Sequence, residues 1–359
     1  MTGSLILYGS VSLLTALSSE ISARAKNKII RSFAFLFTLL IPSFVAGIRY
    51  GIGTDYFNYK FIFEKIKYGY EVRPEIGYKL INHIVAISGG NIQHVFFIVS
   101  FLTILFVYLT LSDHKEKISV GLGMLVFMLI YYQLSYNAVR HVLAMSIGLY
   151  SVKYIFKRRF FKYTIFILLA MSFHLSSVLM FPFYYIYKLI GVKKRAILKT
   201  LFFISVVLFM INYDKILYFI INKIPAIEYY SIYLKTKDNV SFGFGIFILN
   251  IPYILPGLIY YNQLKEYDDR FIFYYELLLV GFLLKFMSYF AADYISRVSD
   301  IFFISIIIII PYYFKILKRR KNLVVLNIFL IAFLFFMWIF TYFYSGKADT
   351  VPFKSIFFR

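Results

Sequence analysis

The chain has 359 residues, 61% of them hydrophobic, with a mean hydropathy of +0.76, 39 Lys and Arg against 17 Asp and Glu, and no cysteine. Many apolar runs reach the ~20 residues that cross a bilayer, far more than a soluble core needs, so the chain reads as an all-α, polytopic integral membrane protein. The formal charge of +22 does not point to nucleic acid, because the basic residues fall in short clusters between apolar runs. The missing cysteines exclude disulfides and thiolate metal sites.

Leu5 to Leu17 is apolar, with no basic residue before it and Arg24, Lys26, Lys28 and Arg31 after it. A signal peptide has the reverse charge order, so a retained first span with its N-terminus outside is expected. Basic clusters belong in the cytoplasm, and Arg24 to Arg31, Lys115/Lys117, Lys157 to Lys162, Lys193 to Arg195, Lys265/Arg270 and Lys315 to Lys321 fit that side. About ten full spans follow, near 4–20, 32–49, 92–112, 119–135, 137–156, 200–221, 243–262, 271–290, 297–314 and 322–344. Everything belongs to one membrane domain.

Residues 51–91 form an external loop carrying Asp55, Glu64, Glu71, Arg73 and Glu75. Its amphipathic stretch Ile76 to Ile87, ended by Gly89-Gly90, predicts one or two helices lying on or dipping into the outer interface. Tyr163 to Leu189 is apolar but basic at both ends, and a single crossing would throw the later basic clusters outside. A re-entrant helical hairpin over 163–189, rising to about His174 and returning through Pro182, restores the rule. Arms of ~15 residues reach ~22 Å, and non-helical backbone at that depth must be buried in protein or line water. A second external loop, 223–240, is rich in tyrosine.

An arginine at membrane depth costs ~2.5 to 3.5 kcal/mol even on a lenient insertion scale. Arg140, at the start of an apolar helix in Asn137-Ala138-Val139-Arg140-His141, is therefore expected to face a partner or a polar cavity. The threading brings Arg49, Asp55, Arg140, His174 and Arg297 to the outer half of the membrane from distant parts of the chain. Arg140 and Arg297, two permanently charged planar forks, suit a diphosphate, where lysine serves only as a point charge. The structural alternative pairs Arg297 with Asp293 or Asp300. Arg49 precedes Gly51, Gly53 and Asp55, and an Arg49–Asp55 ion pair closing that loop is its structural alternative.

His174 admits three readings: a general base titrating near neutrality, a phosphate ligand, or a histidine bonded to a backbone carbonyl. Asp55, Glu71 and Glu75 compete with it as bases. His141, adjacent to Arg140, is expected on a different helix face as a packing histidine. No spacing calls for a metal, no glycine-rich loop for a nucleotide, and no cofactor is expected. Asp268-Asp269 reads as a solvated loop pair.

Arg49-x-Gly51-x-Gly53-Thr54-Asp55-Tyr56-x-x-Tyr59, Asn137-x-x-Arg140-x-x-x-Ala144, Phe173-His174-x-Ser176-Ser177, the Arg297 segment and Pro352-Phe353-Lys354 occur in order over nearly the whole chain. Together they resemble the EpsG-type, Wzy-like bacterial polysaccharide polymerases, with His at position 141 where Gln stands in many members. The resemblance implies a GT-C-like glycosyltransferase in the bacterial plasma (inner) membrane with its active site facing outside. Its donor and acceptor are undecaprenyl-diphosphate-linked oligosaccharides, and a chain-length regulator protein is a further partner. The residue reading fits it, with His174 or Asp55 as the catalytic base and the other orienting it, and Arg49, Arg140, Arg297, Asn137, Tyr56 and Tyr59 as the substrate-binding set. Tyr56, Tyr59 and the tyrosines at 229, 230 and 233 then offer rings to sugars, although interfacial tyrosines are common in membrane proteins. A lipid-linked oligosaccharide flippase using the same arginines, an O-acyltransferase with a buried His and Arg, and a ligase with another acceptor stay open as alternatives.

Overall fold

The computed structural model describes residues 1–190, 245–288, 294–317 and 324–357, with scattered positions between 204 and 223. Most of the expected span at 200–221, the 223–240 loop with its three tyrosines, the basic cluster at 193–195 and Asp293 lie outside the described residues. Among the described residues the protein is helical, without strands and with one isolated bridge joining Arg49 and Ser355. It divides into two compact units, Met1–Phe181 with Ile310–Arg359, and Pro182–Ile309.

The first unit opens with α1 (Thr2–Arg24) and α2 (Lys28–Ile48), joined by a short turn. Asn27 starts α2 by accepting from the backbone N–H groups of Ile29 and Ile30, at 2.8 and 3.3 Å, which supplies partners for donors the helix itself leaves orphaned. Two short helices follow, α3 (Tyr56–Lys67) and α4 (Ile76–Ile87). Asn91 and His94 form a reciprocal capping box that starts α5 (Ile92–Ser112). Ser119 caps α6 (Val120–Phe127), and the Glu20 carboxylate reaches from α1 to take the Gly121 N–H at 2.7 Å, a favourable place for an anion.

The helical path past α6 is broken. A π-helical turn, Met128–Tyr132, and a 3-10 turn, Leu134–Tyr136, lead to α7 (Val139–Phe156). Helix α7 is buried along most of its length; His141 is enclosed, while Arg140 and Lys153 are partly buried and paired with Glu75 and Asp113. Helix α8 (Phe160–Met171) precedes a turn at Ser172–His174 and a 3-10 segment, Leu175–Met180. The unit closes with α15 (Val324–Ile339), a π turn (Phe340–Tyr344) and a tail that folds back on the molecule.

In the second unit, α9 (Phe183–Ile190), α10 (Gly245–Ile259), α11 (Tyr261–Tyr267), α12 (Arg270–Met287) and α13 (Tyr294–Phe303) are described; α14 (Ile306–Leu317) leads from it into the first unit. Gly281 of α12 lets α13 come close, since a Cβ there would lie 2.5 Å from the Phe303 nitrogen. Asp268 is buried and its carboxylate binds the Arg270 guanidinium, closest approach 2.7 Å. The Asp268-Asp269 pair is therefore not simply solvated, because the neighbouring arginine folds over the first of the two.

Among the described residues four helices are long and apolar enough to cross a bilayer: α1, α2, α5 and Val324–Tyr344. Ser296–Phe303 and Ile306–Ile316, bent by 42°, make a fifth if taken as one broken span. The other expected spans fall short for visible reasons. The one near 119–135 is interrupted by the π and 3-10 turns, α10 has only 15 residues, and α12 carries Arg270, Glu276 and Lys285.

Helices α3 and α4 are amphipathic. Tyr56, Tyr59 and Phe63 of α3 and Tyr78, Asn82 and Val85 of α4 face inward. Phe57 and Phe61, and Ile76, Leu80, Ile84 and Ile87, are exposed at helical spacing on the other side. Such a two-sided helix suits a headgroup boundary.

Candidate functional site

The site is assembled in the first unit around an aromatic core of Tyr56, Tyr59, Phe63, Tyr78 and Phe96. Arg49 ends α2 and is only 1% exposed. Its guanidinium lies 3.9 Å from the centre of the Phe96 ring and 4.4 Å from that of Tyr136. Two such contacts in a dry site contribute ~2 kcal/mol each, against a burial cost of several kcal/mol for an unpaired ion, so the rings offset only part of it. Nε and Nη2 are buried with no hydrogen-bond partner. No ion pair joins Arg49 to Asp55, so the loop is closed in another way.

That closure comes from the tail. Tyr50 N–H donates to the Lys354 carbonyl, Ile356 N–H to the Ile48 carbonyl and Gly53 N–H to the Asp349 carbonyl, at 2.9 to 3.0 Å. The Tyr8 hydroxyl donates to the Thr350 carbonyl, and Phe353 N–H donates to Ser4 Oγ. Gly53 has φ +96°, and a Cβ there would stand 2.7 Å from Asn137 Oδ1 and 3.0 Å from the Tyr136 carbonyl. A left-handed backbone pressed against a neighbour is a position only glycine fills without strain. Gly53→Ala is expected to cost roughly 2 to 3 kcal/mol, the sum of backbone strain and overpacking, read as an earlier thermal transition of the purified protein.

The space beside Arg49, lined by Ala46, Val99, Ser100, Thr103, Ser135 and Val139 among others, is about 10 Å³. About one water fits in such a volume, and a diphosphate does not. Arg49 thus stands in this structure as a core cation, not as an open anion ligand. Asp55 is half-buried before α3, and its carbonyl accepts from Tyr59 N–H. Tyr56 and Tyr59, 1% and 5% exposed, have their rings packed on Phe96 and on one another's neighbours, and present no open platform for a sugar in this structure. Asn137 turns its Oδ1, buried and without a hydrogen-bond partner, toward Gly53.

Arg140 behaves differently. It forms an ion pair with Glu75, the residue before α4, and the two side chains stay 26% and 20% exposed. The other Glu75 oxygen accepts from Leu175 N–H at 3.4 Å. Helix α4 sits directly on the turn before it: Gly77 N–H donates to the Ser172 carbonyl at 2.7 Å, and a Cβ at Gly77 would strike Ser172. His174, half-buried in that turn, bonds Ser176 Oγ through Nδ1, and its ring centre is 4.7 Å from that of His141. His141, expected on a different helix face from Arg140, packs edge-on against His174 while Arg140 meets Glu75.

Both guanidinium groups act on the tyrosines of α3 and α4. Burial pushes the Tyr59 hydroxyl above its ordinary range, with Arg140 pulling against it, and burial does the same to Tyr78. Both hydroxyls thus stay neutral at physiological pH. They can donate hydrogen bonds and do not cancel the arginine charge. Arg297 belongs to the other unit, where it is exposed on α13. Its proposed partner Asp300 is engaged by Lys285 at 3.5 Å.

The structure adds Glu75 in its pairing role, Tyr78 and His141 to the residues read from the chain. Two signals precede Tyr78: an acidic residue at the start of an amphipathic helix, and a glycine in its first turn where two backbones touch.

This is the architecture of a multi-helix membrane protein that keeps a guanidinium, a carboxylate and two imidazoles where an amphipathic helix pair meets an enclosed helix. The chain matches the family model of the EpsG family over residues 32–355, and it belongs to that family of Wzy-like polysaccharide polymerases. No curated protein matches it, and neither does any solved structure.

Proposed function

We propose that the protein is a membrane glycosyltransferase that joins undecaprenyl-diphosphate-linked oligosaccharide repeat units on the outer face of the bacterial plasma membrane. On this reading about ten spans and a re-entrant hairpin at 163–189 build a GT-C-like body. Helices α3 and α4 lie at the outer interface with their apolar stripes toward lipid, and a chain-length regulator protein is the expected partner. The observation that carries the reading is the meeting of Arg140, Glu75 and the His174 turn in a chain of the EpsG family.

Arg140 holds the donor diphosphate and stabilises the charge that grows as it leaves. The acceptor hydroxyl oxygen attacks the anomeric carbon of the donor glycan. The bond from that carbon to the diphosphate oxygen breaks, and undecaprenyl diphosphate departs with the electron pair. The hydroxyl proton passes to His174, whose Nδ1 is bonded to Ser176 Oγ. Asp55 is the competing base. Arg49 and Asn137 act by packing beneath the Gly51–Asp55 loop, Arg49 on the Phe96 and Tyr136 rings and Asn137 against Gly53.

Purified protein in lipid nanodiscs, supplied with lipid-linked repeat units, is expected to make longer lipid-linked glycans and to release one undecaprenyl diphosphate per new linkage. Units returned unchanged in length, or moved across a bilayer without joining, would remove the enzyme reading. His174→Gln is expected to slow joining by ~10²-fold or more while donor binding persists.

A further inference from the structure

Glu75 holds two donors at once, Arg140 Nη1 through one oxygen and the Leu175 N–H through the other. A guanidinium beside a backbone N–H is also what a phosphate group binds, and arginine pairs as well with phosphate as with carboxylate. Resting on the donor-site reading above, we propose that Glu75 is a displaceable counterion. Its carboxylate fills the Arg140 fork and the Leu175 N–H until a phosphate of the incoming diphosphate replaces it on both donors, next to His174.

Three observations support a place-holder over a permanent tie. The pair uses one arm of the guanidinium and Tyr59 also engages it, while Arg140 Nε is buried with no hydrogen-bond partner, so one donor of the fork is left that the carboxylate in this position does not use. The pair is also partly open to solvent, at 26% and 20% exposure, where a doubly anionic group can reach it. Lastly, α4 does not need the pair to stay in place. Gly77 N–H already fixes its first turn to Ser172, and Tyr78, Asn82 and Val85 are buried in the core.

An ion pair of this exposure is worth little on its own, so a ligand with more charge and more oxygens outcompetes it. Glu75 is thus a positioning residue. It keeps a half-buried cation neutralised in the empty site, and it gives way on binding. The two oxygens of Glu75 link the events, because loss of the Arg140 contact also costs the Leu175 contact one residue from His174.

The experiment measures binding of inorganic pyrophosphate, and then of undecaprenyl diphosphate, to the full chain in nanodiscs. Removing the competing charge by Glu75→Gln is expected to tighten both by about tenfold, and KM for the lipid-linked donor is expected to fall with it. Glu75→Asp, too short to span both donors, is expected to move the same way. A structural tie predicts the opposite sign, because losing it disorders the site. Binding to the parent that is unchanged or weaker in Glu75→Gln overturns the place-holder and leaves the donor site standing. Binding to neither protein removes the donor site and the place-holder together. Failure of both variants to assemble would make the pair a fold contact and overturn the proposal.

Discussion

Cells carrying Arg140→Ala at normal protein levels are expected to make repeat units but almost no long polymer, a loss of ~10² to 10³-fold in joining rate, because the charge-stabilising fork is gone. Arg140→Lys is expected to recover little of it. An ammonium on a flexible stem meets Glu75 as a point charge and cannot offer a planar fork to a diphosphate. Arg140→Ala also leaves Glu75 facing protein without its cation, a cost of roughly 2 kcal/mol for a half-buried partner, which is small beside the kinetic effect. Glycan length on gels, compared at matched membrane abundance, checks this. Long polymer in the Ala variant would take Arg140 out of the chemistry.

The largest loss of stability is expected at Arg49. Arg49→Ala removes both ring contacts and opens a hole between Phe96 and Tyr136, a destabilisation of roughly 3 kcal/mol after the relief of the unpaired charge is counted. Arg49→Lys is expected to be no better. Its ammonium is more strongly hydrated and lacks the flat face that lies against the two rings. Arg49→Met, which fills the volume without a charge, is expected to be the mildest of the three. Thermal unfolding in detergent, followed by the fraction left monodisperse after heating, ranks them. A Lys variant as stable as the parent would show that charge alone matters there.

Most long helices were legible because their apolar runs are bounded by charges and caps. The expected span at 92–112 coincides with α5, whose start is marked by Asn91, and 32–49 falls almost on α2, marked by Asn27. Breaks inside apolar runs were not legible. Nothing in Met128–Tyr132 announces a π turn, and the bend between Phe303 and Ile306 lies in a stretch where every nearby residue is apolar or small.

For the site, the chemistry-bearing residues were visible and their partners were not. Arg140 was expected to need an anion, and Glu75 was already in view as an acid. Their meeting depends on α4 landing on the Ser172 turn 95 residues later in the chain, a contact set by the small size of Gly77. Arg49 and Asp55 sit close in sequence and suggested a local pair. The aromatic residues of α5 and the 3-10 turn took the guanidinium instead. Neighbours in sequence were a poor guide wherever a distant surface offered a better fit.

The returning tail has a consequence for biogenesis. Residues 349–356 leave the ribosome after every described helix, yet they supply the backbone partners of Ile48, Tyr50 and Gly53 and a cap on Tyr8. While the nascent chain is still being inserted, the Arg49 loop must therefore wait with open hydrogen-bonding groups. Maturation of that loop waits for residues 349–356, so the ground beneath Asp55 sets only once translation has passed them.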